Sequence, residues 1–270
     1  MRWFYAFFDL ILSPFRTLSP VWALLLLSLL AGLFMLLIFR YTSDHQRVKE
    51  TKNVIKAHFL ELWLFRDDPW IMLSAQGQIL RLNGRYLKLV LKPALVLIVP
   101  MTLFLMALDG WFASRPLHLG EEAIVAIQVG EEKTDLLERA TLAASNGVTV
   151  ETLPLRVPQT KELNWRIRAQ TVGHHKISVN LPDQTVEKQV VVSQEFVRVS
   201  ASRLSSALWQ ALFYPNESPL PPRAGLRQID IYYPARSIQI FGWEIHWLVA
   251  FFILSTICAF AFRRIFGVEL

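Results

Sequence analysis

Val21–Phe39 reads VWALLLLSLLAGLFMLLIF, 19 residues without a charge. At about 1.5 Å of rise per helical residue, such a run crosses a hydrocarbon core of about 30 Å. Two further stretches share this character. Ile245–Phe262 (IHWLVAFFILSTICAFAF) is 18 residues with only His246 near its edge, and Leu89–Phe112 is apolar apart from Lys92 and Asp109. The uncharged part of the middle stretch, Pro93–Leu108, is the shortest, so Lys92 has to reach toward an interface. With 53% hydrophobic residues and a mean hydropathy of +0.34, the chain is too apolar for an ordinary soluble domain. The reading is three transmembrane helices. The first is expected to be retained rather than cleaved, because Phe39-Arg40-Tyr41 offers no small-residue cleavage site.

Flanking charge sets the expected orientation. Residues 40–92 hold 10 Lys/Arg against 5 Asp/Glu, whereas residues 109–244 hold 14 against 15. The tail after the third helix opens with Arg263-Arg264. Basic loops stay in the cytoplasm, so the 40–92 loop and the C-terminus are expected there, with the N-terminus and the long 109–244 segment outside, in the periplasm of a bacterial inner membrane. The net charge of +6 is then a topology signal and gives no reason to expect nucleic-acid binding. The one cysteine, Cys258, falls inside the third apolar stretch, so the exterior part has to fold on its core alone.

The segments between these helices differ in kind. Residues 1–18 (MRWFYAFFDLILSPFRTL) read as an interfacial amphipathic helix broken near Pro14, followed by transmembrane helix 1 over 19–40. Residues 41–88 read as a cytoplasmic coiled-coil hairpin. Thr42-Ser43-Asp44 caps its first arm, Val48, Ile55, Phe59 and Leu62 form one seam, and Asp68-Pro69 starts the return arm. That arm carries Ile71 or Met72, then Ala75, Ile79, Leu82 and Tyr86. Transmembrane helix 2 follows over 89–112. Residues 113–200 contain short runs rich in β-branched residues, broken at Asn146-Gly147, Pro158, Gly173 and Pro182, which predict an immunoglobulin-like β-sandwich. Trp165, Ile167 and Ala169 alternate there with Arg166 and Arg168, giving a dry face and a wet one. Residues 201–242 read as an amphipathic helix, a Pro-rich linker and a last strand at Gln228–Tyr233. Transmembrane helix 3 occupies 243–264 and a cytoplasmic tail 265–270.

Chemistry-bearing motifs are scarce. His174-His175 has no third ligand at metal spacing and reads as a hairpin corner. There is no GxSxG, HExxH, P-loop or paired-carboxylate arrangement, so the expectation is a non-enzyme with no cofactor and no metal. Two groups of residues stand out instead. Ser28, Gly32, Thr102, Ser255 and Thr256 are small or weakly polar residues inside the apolar stretches. They fit either helix–helix contacts or a weakly polar groove between the helices. Trp63, Phe65, Trp70 and Met72 crowd apolar surface around the wet corner Arg66-Asp67-Asp68-Pro69, where a solvated turn has no use for it.

One helix in from outside, a basic helical hairpin and a Pro-containing helix back out is an arrangement that resembles the YidC-type membrane-insertase superfamily. The likeness is strongest to its three-helix branch, which includes archaeal members and the third subunit of the ER membrane complex. The residues that carry it lie in Arg40–Pro100: Tyr41-Thr42-Ser43-Asp44 where the hairpin opens, Asp67-Asp68-Pro69 at its tip, Tyr86-Leu87-Lys88 with Lys92-Pro93 where it closes, and Pro100 inside the second helix. The resemblance implies an insertase or intramembrane chaperone without covalent chemistry. Its partners would be the lipid bilayer and hydrophobic client segments, which enter a groove between three helices and leave sideways. Two departures are visible. Bacterial YidC proteins place an arginine in the groove, whereas Val21–Phe39 offers only Ser28. The exterior β-sandwich also has no counterpart among insertase parts, which raises the alternative of an accessory or scaffold subunit of a larger membrane complex.

Overall fold

A computed structural model describes residues 2–64, 69–131, 133, 135–240 and 242–268. In chain order its helices begin with α1 (Arg2–Leu12), α2 (Pro20–Thr42), α3 (His45–Leu64) and α4 (Pro69–Phe112). There follow β1 (Glu122–Val129), α5 (Leu136–Arg139), β2 (Thr141–Ala144), β3 (Val148–Val150), β4 (Leu155–Val157), β5 (Glu162–Ala169), β6 (Gly173–Asn180) and β7 (Thr185–Val192). The chain closes with β8 (Ser202–Leu204), α6 (Ala207–Phe213), β9 (Leu226–Ile231), β10 (Ile238–Ile240), β11 (Trp243–Ile245) and α7 (Trp247–Phe266). Among the described residues three helices are long and apolar enough to cross a membrane, at Pro20–Thr42, Met72–Phe112 and Trp247–Phe266. The chain divides into two compact units, one formed by Met1–Ala23 with Leu103–Trp247 and the other by Leu24–Thr102 with Leu248–Leu270.

The first unit is built on antiparallel sheets. The larger runs β3-β5-β1-β9-β8, with β4 sharing the outer edge of β5, and the smaller runs β2-β6-β7. Both turn apolar faces into one core: Val125, Ile127, Leu163, Trp165, Ile167, Ile229 and Ile231 from the larger, Ile177, Val179, Val186 and Val190 from the smaller. On β5 the period of two is plain. Trp165, Ile167 and Ala169 are buried, while Arg166 and Arg168 point outward to Glu122 and Glu151. The strand expected near Gln228–Tyr233 takes an interior place, pairing with β1 through Ile231 to Val125 and with β8 through Asp230 to Ser202. The core therefore extends well past residue 200.

One core-facing position of β7 is charged. Val186, Lys188 and Val190 share an inward register, and Lys188 is only 1% exposed. Its Nζ donates to the Ser200 carbonyl and the Glu217 carboxylate, each at 2.7 Å, and to Ser200 Oγ at 3.2 Å. Burial pushes the ammonium below its usual range, and the Glu217 charge partly offsets this. These bonds tie β7 to Ser200 and Glu217, on either side of β8 and α6.

Helix α1 packs on this unit through Tyr5, Phe8 and Leu12, at spacings of three and four, all nearly inaccessible. Phe8 meets Phe104 edge-on at 5.2 Å, and the Tyr5 hydroxyl donates to the Leu212 carbonyl of α6. Beside it Arg198 lies with its guanidinium carbon 4.5 Å from the Tyr5 ring centroid and Nη1 3.8 Å from Asp9. Phe7 and Leu10 remain on the outside of the helix. The face expected to dip into lipid is therefore divided between protein and exterior.

Candidate functional site

The second unit holds the sequence's groove candidates and the hairpin. Gly32 of α2 lies directly against α7: a Cβ built on it would stand 2.8 Å from the Ser255 carbonyl oxygen and 3.1 Å from the Cys258 Cβ. Two helix backbones come this close only where one residue lacks a side chain. Ser255 is buried with its Oγ donating to the Phe252 carbonyl at 3.2 Å, and Ser28 is fully buried. Gly32 and Ser255 are thus brought together in a packed α2–α7 seam. Thr102 and Thr256 are exposed, and the Thr102 hydroxyl donates to the Ile98 carbonyl one turn back, at 2.7 Å.

Helix α4 is held differently. It touches the α2–α7 pair in one zone, where Val90, Leu97 and Met101 meet Leu36, Phe39, Ala259 and Val268. Elsewhere Leu87, Leu91, Leu95, Val96, Ile98 and Val99 face outward. Only 11% of the most apolar stretch of α4 is buried, against 39% for α2. Apolar surface has no drive to associate in hydrocarbon, so close packing decides which helices stay paired. By that criterion α2 and α7 are closely packed at Gly32, and α4 is the least buried of the three. Pro93 and Pro100 both lie within it, leaving backbone carbonyls without helical donors.

The hairpin has a true 3–4 seam. Asp44 caps α3, its Oδ1 accepting from the Arg47 amide at 3.2 Å. Val48, Thr51, Ile55, His58 and Leu62 then face Met72, Ala75, Ile79, Leu82 and Tyr86, all buried or half-buried. Phe59, expected on this seam, is 56% exposed. His58 turns inward instead, and its Nδ1 lies 2.8 Å from Glu61 Oε2. Of the tip residues, Met72 sits on the seam, Trp63 is 77% and Trp70 81% exposed, and Phe65, Arg66, Asp67 and Asp68 lie outside the described residues. Leu60, Leu64 and Leu73 enlarge the apolar surface around Trp63 and Trp70. Because α4 is unbroken, Trp70 stands roughly 27 Å along the helix from Lys88. Trp70 therefore cannot reach the apolar stretch while this part of α4 stays helical.

His174 and His175 of the β unit are engaged locally. His175 Nε2 lies 2.7 Å from the Thr171 carbonyl and His174 Nδ1 accepts from Gln189 at 3.0 Å. Among the described residues no three His, Cys, Asp or Glu converge as metal ligands. The chain matches no family model, no curated protein and no solved structure.

Proposed function

We propose that this chain is a membrane-protein insertase or intramembrane chaperone of the YidC type. The sparsely buried α4 carries the reading: with 11% of its apolar stretch buried, it leaves an open face beside the α2–α7 contact at Gly32. A client's hydrophobic segment would lie against that face and leave sideways into lipid. Charged groups dragged through hydrocarbon cost about 2.5–3.5 kcal/mol each on insertion scales, and the short uncharged stretch Pro93–Leu108 of α4 would lower that cost by thinning the bilayer. In this reading the helices sit in a bacterial inner membrane with the hairpin and C-terminus cytoplasmic, as the Lys/Arg bias of residues 40–92 supports. The β unit is then periplasmic and immunoglobulin-like.

A specific observation favours a second reading, a scaffold subunit of a larger complex. Ser28 and Ser255 are enclosed by helix packing, so the open face has little polarity to offer a client. The exposed tip around Trp63 and Trp70 also stands away from the membrane-type helices, as a docking surface for a cytoplasmic protein would.

Reconstitution separates the two. Proteoliposomes containing the full chain should protect a single-span client with one acidic residue in its translocated flank from added protease. We expect at least a tenfold gain over empty liposomes. Protection no better than in empty liposomes would contradict the insertase reading.

A further inference from the structure

We propose that a cavity on the outer face of β9 holds the ammonium headgroup of a membrane lipid. The inference rests on the membrane reading above. The cavity measures about 480 Å³, and its walls include Ser114, Ser202, Phe213, Tyr214, Asp230 and Tyr232. Along β9 and its continuation, Ile229, Ile231 and Tyr233 turn inward, which leaves Asp230 and Tyr232 on the outer side.

The chemistry is that of a cation site. Gln228 Nε2 donates to Asp230 Oδ2 at 2.8 Å, and among the described residues no lysine or arginine lies within 4.0 Å of that carboxylate. The Lys188 ammonium, bound to Glu217, also acts on Asp230 and favours its charged form. Burial raises the Asp230 carboxyl above its usual range, with hydrogen bonds from Ser202 and Gln228 opposing the shift. A half-buried carboxylate that shares the Lys188 ammonium with Glu217, in a pocket lined by Phe213, Tyr214 and Tyr232, fits an organic ammonium group.

The surroundings favour a lipid as the source. Ser114 follows the end of α4 by two residues and bridges to Ala235, so the cavity lies where the chain leaves one membrane-type helix and approaches the next. Its α6 wall exposes Leu208 (79%) and Trp209 (54%). The neighbouring α1, joined through Tyr5 and Leu212, exposes Phe7 and Leu10. An apolar, Trp-bearing rim beside a largely apolar pocket that holds one carboxylate is the arrangement of a bilayer interface. A basic side chain from a soluble protein would satisfy Asp230 but leaves that rim without a role.

Native mass spectrometry of the full-length protein in detergent tests this. The probes are phosphatidylethanolamine, phosphatidylcholine and phosphatidylglycerol of one acyl length, offered in equal amounts. The wild type should retain the two ammonium lipids at least tenfold over phosphatidylglycerol. Asp230→Asn should abolish the preference, and Tyr232→Leu should reduce it severalfold. Asp230→Asn removes a charge that burial already disfavours, so its melting temperature should not fall and loss of preference cannot be ascribed to unfolding. Equal retention of all three lipids, or an unchanged preference in Asp230→Asn, would overturn the proposal. So would displacement of the bound lipid by equimolar free phosphocholine or by a lysine-rich peptide. Lost preference alongside intact client protection in proteoliposomes removes the pocket and leaves the insertase reading. The reverse pattern removes the insertase reading alone.

Discussion

Replacing Lys188 with methionine should release the β unit's slowest amides to exchange two to nearly four orders of magnitude faster. The variant leaves the Glu217 carboxylate, whose side chain is 10% exposed, without its counterion. Breaking a buried pair from one side costs about 3–5 kcal/mol, and each 1.36 kcal/mol is a factor of ten in the opening equilibrium. Hydrogen exchange on the full-length protein reads this directly, at the amides of β1 and β5 in the middle of the larger sheet. The double variant Lys188→Met, Glu217→Gln should recover most of the loss, because it removes both charges from the interior. A single variant exchanging like the wild type would mean that Lys188 is not buried as described.

At Gly32 the expected effect is steric. A methyl group there meets the Ser255 carbonyl at 2.8 Å, and a helix backbone cannot yield as a flexible side chain would. Gly32→Leu should therefore wedge α2 from α7, with Gly32→Ala intermediate. Overpacking costs about 1–3 kcal/mol, so the separated state should become roughly 5- to 150-fold more populated. Cys258 is a built-in reporter, half-buried beside Gly32 and the chain's one cysteine. Its labelling by a maleimide in detergent should quicken in the order glycine, alanine, leucine. Equal rates across the series would argue against the seam.

What could be read from the residues follows from which interactions are local. The long apolar helices need only length and the absence of charge. On β5, alternation of Trp165, Ile167 and Ala169 with arginines needs only the pleat. The hairpin was legible in outline but not in register. A 3–4 spacing from Val48 and Ile55 admits either residue and apolarity singles out Phe59, whereas in the fold His58 turns inward. Lys188 had a signal, its inward phase between Val186 and Val190, but a lysine reads as solvated until Glu217 and Ser200 are brought to it across the fold. The place of β9 between β1 and β8 depends on pairing across some hundred residues of chain, on which local pattern is silent. For the groove, small residues suit a seam and a client path equally. Only the geometry separates Gly32 and Ser255, which are packed together, from Thr102 and Thr256, which face outward.

That separation defines the most direct measurement of the central claim. A photocrosslinking residue is placed in living cells at Thr102 or Thr256, both exposed, and at Ser28 or Ser255, both buried. The account predicts many short-lived adducts from the first two positions, vanishing when translation stops, and intramolecular products from the second two. One or two persistent bands from Thr102 and Thr256, indifferent to translation, would mean the face is filled by a permanent neighbour, and would contradict the insertase reading in favour of the scaffold.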